Sequence, residues 1–562
     1  MRYHPAVLPA GLTLVHPSLQ FLFGCWLGIA LAVVPAQALD LAALPPPDPL
    51  QFLAVQRSAA LFNAQSPQSR HSVRMVIYGQ SITQQQWAWD LVSQVHGWHP
   101  GAFITAEVRA IPALDASFLI QTAESDIFPF HPDVIVFHAY GPYGPGLEWE
   151  RLLRAFRART TADVILLGNH PLKDLELEEP AQPAEMLPDS QAWLNYVTTS
   201  TLATELGFCF PDNRSAFKAY LKATHQPVRA ILADNLHLNT LGSDVQFAVV
   251  RPFLQAPRFT PALDPFNNGR VQTHPIGDGG PDWVGGRLRF EFVGNRLDAI
   301  AAPGSGRRCQ VRVDGQEPTS MPSGMGHRRS SAWRGDPYLR PALLQVGFTQ
   351  KPLVEHWTVT VTDEDPRRPE YLGFEVSGSR TGPDGTGTTT NVFVSNSGRV
   401  RIAPENWSLI MRPRISQLGL KIEWVTETWA VDDYVPAYLE GDDLEPVTTL
   451  VNDLPDGPHV LELLAESPEA VPALAALRVY HPAGPMPGTE VPRNAEVPPT
   501  LRLLSLPDRA LAAWPGTALN WSLFRQPTLD ARWAAVPATT NRGGFSHLFL
   551  PTDGPTGFFR LE

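Results

Sequence analysis

Val73-Arg-Met-Val-Ile-Tyr-Gly-Gln-Ser81 (VRMVIYGQS) is a short apolar run that stops at a glycine and meets a serine two residues later. Val73–Tyr78 reads as a buried strand, Gly79 ends it, and Thr83–Val95 reads as the helix that follows. Asp133–His138 (DVIVFH) and Asp163–Leu167 (DVILL) are further buried-strand candidates. Helical patterns cover Trp149–Arg159 and Ala192–Gly207, the second closed by its glycine. Strands that alternate with helices imply a mostly parallel sheet with helices on both faces, here over residues 70–257.

Outward from this α/β region the texture changes in both directions. Towards the C-terminus, Arg287–Ile300 (RLRFEFVGNRLDAI), Cys309–Val313, Trp357–Thr362, Leu372–Val376, Leu420–Val425 and His459–Leu464 alternate polar and apolar residues. Short period-two segments separated by Gly, Pro and Asp indicate antiparallel β-sandwich structure over 270–482, as one or two modules. The Gly/Thr-rich stretch Ser377–Thr390 reads as an exposed loop. Residues 483–500 lie in a stretch, His481–Thr500, that holds six prolines and reads as a linker. Residues 501–562, with Trp514, Trp521 and Trp533, read as a small β module. Towards the N-terminus, 39–69 reads as a leader segment over the α/β region. Phe21–Val34 is fourteen apolar residues, too short for a membrane span, and Ala36-Gln37-Ala38 follows it. The expectation is a signal peptide over 1–38, cut after Ala38, with a secreted or periplasmic chain and no membrane span after cleavage.

The 562-residue chain is too long for one hydrophobic core, and 43% hydrophobic with 18% charged residues is the balance of a globular protein. A net charge of −12 gives no basic footprint and argues against a nucleic-acid partner. There is no CxxC or HExxH, so no metal is expected, and Cys209 and Cys309, 100 residues apart, give little reason to expect a disulfide. The charge run Asp174–Glu179 reads as a solvated face, and the sequons at Asn213, Asn406 and Asn520 are short enough to arise by chance.

Two places could carry chemistry. Ser81 sits just after a strand and just before a helix, on the edge where α/β folds place ligands, and its own N–H can face a developing oxyanion. The same serine also reads as the start of a Ser-x-x-Gln capping box with Gln84. The second place is Ala233-Asp-Asn-Leu-His-Leu-Asn-Thr-Leu-Gly242. There, a turn can bring the Asp234 carboxylate onto the His237 imidazole and leave the far ring nitrogen free to take a proton.

A strand-borne serine first and DxxH last, within about 180 residues of α/β pattern, resembles the SGNH (GDSL-like) hydrolases. Gly79-Gln80-Ser81 is similar to the family's first block, with Gln80 in place of Asp, and Asp234, His237, Asn239 and Gly242 match its last. The resemblance covers roughly residues 70–250. It implies a flavodoxin-like three-layer α/β/α domain and a serine ester hydrolase without cofactor, in which Ser81, Asp234 and His237 are catalytic. The middle blocks depart. Ala113 stands at the family's glycine, in Val108-Arg-Ala-Ile-Pro-Ala113, and Tyr140 at its oxyanion asparagine, in Val136-Phe-His-Ala-Tyr-Gly141. The resemblance therefore gives the oxyanion site to Ser81, Ala113 and Tyr140, with Gln80, His138 and Asn169 as substrate-binding candidates. The β segments loosely resemble jelly-roll modules attached to carbohydrate-active esterases. They suggest an acylated small molecule or polysaccharide, acetyl groups included, as substrate. The rival is a catalytically degenerate SGNH-like protein that binds carbohydrate or serves at the cell surface. No signal for oligomeric state is present.

Overall fold

The apolar runs form strands because each sends its residues alternately to two faces, and both faces are covered. In the computed structural model, β1 (Ser72–Gly79), β2 (Phe103–Val108), β3 (Val134–His138) and β4 (Asp163–Leu166) form a parallel sheet of order β2-β1-β3-β4. A parallel bridge from Ile165 to Cys209 adds a rudimentary fifth position outside β4. This is the flavodoxin-like order of doubly wound sheets. The residues described are 39–63, 70–141, 146–178, 198–256, 259–260, 263–277, 279–304, 306–438, 443–482 and short stretches between 501 and 561. The expected signal peptide, residues 192–197 of the expected helix, residues 483–500, Asn520, Trp521 and Trp533 lie outside them.

Seven helices complete the layers among the described residues: α1 (Gln56–Asn63), α2 (Gln86–Trp98), α3 (Ala116–Asp126), α4 (Glu148–Arg159), α5 (Thr199–Leu206), α6 (Asn213–Ala223) and α7 (Thr240–Leu254). On one face Met75, Ile77, Val134, Val136 and Ile165 pack against Trp87 and Leu91 of α2, Phe217 of α6 and Phe253 of α7. On the other, Val76, Tyr78, Ile135, Phe137 and Val164 meet Leu119 of α3, Leu152 and Phe156 of α4 and Leu202 of α5. The sheet is the middle layer of an α/β/α sandwich.

Residues 39–63, expected as a leader lying over this unit, are built into it. Leu50, Phe52, Leu53, Val55, Leu61 and Phe62 are buried in the first of these cores. The Ser58 N–H donates to Asp163 Oδ2 at 2.7 Å, and Arg57 pairs with Asp133 at 2.9 Å.

The β region is nested. Strands 283–284, 287–294, 309–313, 433–434 and 457–465 form one sheet, and 271–275, 296–301, 447–451 and 474–480 the other. Leu288, Leu297, Val311, Leu461 and Leu477 fill the space between them. Between strands 309–313 and 433–434 the chain makes a second β unit, with strands 325–327, 356–364, 372–378, 382–388 and 421–428 around Trp333, Trp357, Phe374 and Trp424. Ser377–Thr390, expected as a loop, is mostly strand: Leu372–Gly378 pairs with Gly382–Thr388. The correction has a steric cause. A Cβ at Gly387 would come within 2.6 Å of the Phe393 ring and 2.9 Å of Phe374, so glycine is what lets this strand lie against two aromatic rings. Near the C-terminus, Phe259–Thr260 pairs with the strand 502–505, so that sheet takes in chain from directly after the α/β unit. Cys209 and Cys309 are buried free thiols, and no helix among the described residues is long and apolar enough to cross a membrane.

The two regions interlock. Arg159 of α4 holds Glu124 of α3 at 2.6 Å and Asp453 of the β region at 2.9 Å, while Arg329 reaches back to Asp126. Leu344 of the second β unit is buried in the core beneath α3 and α4. At the N-terminal end of β1, Glu445 accepts from Arg478 at 2.7 and 2.8 Å and meets His71 at 3.1 Å. Burial alone would raise the Glu445 carboxyl, but the hydrogen bonds from Arg478 and His71 outweigh it and bring it down to about 2. A carboxyl depressed on folding adds stability above its unfolded value, lost as pH falls through the folded one. The window is about 4.5 down to 2. Glu445→Gln should therefore lower unfolding free energy at neutral pH by on the order of 2–3 kcal/mol. In urea titrations its gap from the wild type should shrink as pH drops through that window. A gap that stays constant with pH would contradict this account.

Candidate active site

β1 ends in a geometry only glycine fits. Gly79 has φ +145°, and a Cβ there would lie 1.8 Å from the carbonyl oxygen of His138 on β3. Gln80 is extended, and Ser81 opens a 3-10 turn, Ser81–Gln84, that precedes α2. Thr83 closes the turn by donating Oγ1–H to the Gln80 carbonyl at 2.6 Å. Ser81 is the first residue of this turn and does not cap it; Gln80 holds the cap position, and its side chain makes no capping bond. The serine hydroxyl goes elsewhere, to His237 Nε2 at 2.9 Å.

His237 arrives on a tight loop before α7. Leu232 and Leu238 bridge across it, the Ala233 N–H donates to the His237 carbonyl at 2.8 Å, and the Asn239 N–H to Ile231 O at 2.9 Å. Asn239 caps α7 through the Gly242 N–H at 3.0 Å, and Gly242 is close-packed, since a Cβ would sit 2.4 Å from Ile231 O. Inside the loop, Asp234 Oδ1 accepts the N–H groups of Leu236 and His237, each at 2.7 Å, and Oδ2 meets His237 Nδ1 at 2.8 Å. This network places the imidazole proton on Nδ1 and leaves Nε2 to accept from Ser81. The His237 N–H, the His237 ring and the Leu236 N–H, in that order, hold the Asp234 carboxyl well below the usual carboxylate range. The pair is open to water: the Asp234 side chain is 57% and that of His237 36% exposed.

Because burial does not fix this exposed pair, hydrogen bonds must. His170, buried at the end of the sheet, donates Nε2–H to Leu236 O at 2.8 Å; burial first, and the neighbouring His138, keep it neutral, at about 3. Gln85 binds Leu238 with both ends of its amide, donating to its carbonyl at 2.7 Å and accepting its N–H at 3.2 Å. It thereby ties the serine's turn to the histidine's loop. In sequence His170 follows a strand on the edge where pockets form but reads as a loop residue, and Gln85 reads as one of three consecutive glutamines. Gln85→Met, similar in volume but without these bonds, should lower kcat about tenfold, as sub-ångström misplacement does, with little change in KM or melting temperature. Steady-state kinetics beside a thermal melt would check it; unchanged kcat would remove Gln85 from this role.

The remaining candidates fall into two groups. Ala113 lies off the end of β1, between the Ile111 N–H bonded to Gly79 O at 2.8 Å and the Ala116 N–H bonded to Tyr140 O at 3.2 Å. Its φ is +62°, in the left-handed region that favours glycine, and no acceptor among the described residues takes its N–H. Tyr140 donates its N–H to Gln80 Oε1 at 2.8 Å and lies edge-on to His138. His138 and Asn169 are buried together, Nε2 to Oδ1 at 3.0 Å, and burial brings His138 down to about 4, so it is neutral near pH 7.

No protein-family model and no curated protein matches this sequence. Among solved structures, a two-domain esterase (CEX) active on acetylated mannans is similar at 13% identity over 76% of this chain and 96% of that one, with a TM-score of 0.30. A catalytic mutant of Axe2, an acetylxylan esterase from Geobacillus stearothermophilus, is similar at 15% identity over 32% of this chain and 94% of that one, TM-score 0.28. LAE5, an alpha/beta hydrolase enzyme from the metagenome of Lake Arreo, Spain, is similar at 16% over 34% and 99%, TM-score 0.28. Likeness at this level transfers neither fold nor activity. In strand order, in the serine that follows β1 and in the Asp-x-x-His loop before α7, the α/β unit agrees with the arrangement expected from the sequence resemblance.

Proposed function

We propose that this chain is an exported serine ester hydrolase of the SGNH type that removes acyl groups, acetyl among them, from a polysaccharide. The observation that carries the reading is the continuous relay from Ser81 Oγ through His237 to Asp234, 2.9 and 2.8 Å, at the carboxyl edge of the sheet. Ser81 Oγ attacks the ester carbonyl and its proton passes to His237 Nε2. The Asp234 carboxylate stabilises the imidazolium, which then protonates the leaving alcohol. A water, deprotonated by the same nitrogen, releases the acid and restores the serine. The N–H groups of Ser81 and Ala113, with Tyr140 as a further candidate donor, face the oxyanion. Gln80, which bonds the Tyr140 N–H, keeps that segment beside the nucleophile. The polysaccharide part of the proposal rests on the attached β units and on the expected export, an analogy of architecture.

A fluorophosphonate should modify Ser81 alone, located by peptide mapping, and abolish hydrolysis of p-nitrophenyl acetate. A chain that neither reacts nor turns over the ester would instead be a binding protein, the reading that the changed residues Ala113 and Tyr140 favour.

A further inference from the structure

At one end of the second β unit three loops present bare aliphatic side chains. Leu339 and Ile410 are 77% and 76% exposed, and Tyr338, Ile415 and Leu418 are exposed beside them. The loops are neighbours. The Arg334 side chain donates to the carbonyls of Ser416 and Leu418, Arg340 reaches Met411 Sδ at 3.1 Å, and a Cβ at Gly335 would meet Ile415 Cδ1 at 2.8 Å. The first loop is rigid. Buried Asp336 accepts the N–H groups of Tyr338 and Arg340 and both ends of the Arg340 guanidinium, at 2.9–3.1 Å. It holds Leu339 at φ +52°, a conformation that costs a leucine energy and buries nothing.

Charge around the patch is asymmetric. Arg340, Arg412 and Arg368 pair with Asp336, Glu364 and Glu370. Asp363 and Asp365 belong to no ion pair among the described residues and accept the Tyr371 hydroxyl and the Arg367 N–H of their own loop. Arg334, Arg367 and Arg414 belong to no ion pair among the described residues. Three unpaired arginines against these two carboxylates leave a small cationic surplus beside the exposed aliphatics, in a chain whose net charge is −12.

We propose that this end of the second β unit docks peripherally on an anionic lipid surface, with Leu339, Ile410 and Tyr338 entering the interface and the unpaired arginines lying among the headgroups. Side chains three-quarters exposed at loop tips stand clear of the surface, as insertion into a fluid layer requires; a protein partner would need a matching recess for each. The arginines supply the complementary charge, against the repulsion of the acidic remainder.

The chain from Leu39 onward forms one compact unit and suits the test. It should sediment with phosphatidylcholine vesicles doped with phosphatidylglycerol, less with pure phosphatidylcholine, and less as salt is raised. Leu339→Glu/Ile410→Glu should reduce partitioning about tenfold or more, as should Arg367→Gln/Arg414→Gln, which leaves the apolar tips in place should the first pair disturb folding. Wild-type chain that stays in the supernatant, or variants that bind equally, would overturn the proposal. So would a concentration-dependent dimer that dissolves in Leu339→Glu/Ile410→Glu without vesicle binding, because the patch would then serve self-association.

Discussion

Ser81→Ala is expected to lower kcat/KM for a short-chain p-nitrophenyl ester by at least about 10³-fold, with the melting curve unchanged. The relay can move a proton only from the atom at its end, and alanine removes that atom while leaving the turn, whose bonds run through Gln80 and Thr83. What survives should be the slow hydrolysis provided by the remaining N–H donors and by binding. Removing His237 as well should cost little more, because nucleophile and base act as one unit. A wild-type chain no faster than Ser81→Ala would end the esterase reading.

Gly79→Ala should be the most damaging single methyl in the α/β unit. The added carbon would lie 1.8 Å from His138 O, at the last register pair of β1 and β3, in a backbone conformation closed to side chains. Neither strand can yield alone, because both are packed on two faces. A loss above about 4 kcal/mol is expected, in the range of severe core defects. Soluble yield and the urea midpoint would report it. Any folded fraction should also be slow, since the shift falls two residues from Ser81, the proposed nucleophile. An alanine variant with wild-type midpoint and turnover would refute the steric account.

What could be read from the sequence was what neighbouring residues decide together. The run Val73–Tyr78 into Gly79 and Ser81 declares a buried strand and its turn, and Asp234 with His237 lies close enough for one loop to join them. What could not be read depends on partners far along the chain. Ala113 discloses its left-handed backbone only once Ile111 and Ala116 are tied to Gly79 and Tyr140. Residues 39–63 look like a polar-ended leader until Ser58 finds Asp163. The Gly/Thr stretch near Gly387 looks like a loop because its strand is secured by Phe374 and Phe393, rings it does not own. His138 and Asn169, each a pocket candidate alone, turn out to occupy one another.

The clasp of Arg159, Asp453, Arg329 and Asp126, with Leu344 set into the core beneath α3 and α4, bears on how the molecule can be dismantled. A fragment truncated at residue 257 would strand Arg159 and Asp126 without their distant partners and open the apolar layer that Leu344 seals. Melting should accordingly be cooperative across the clasp. Damage deep in the β region should register as lost turnover at Ser81, without any residue there approaching the ester.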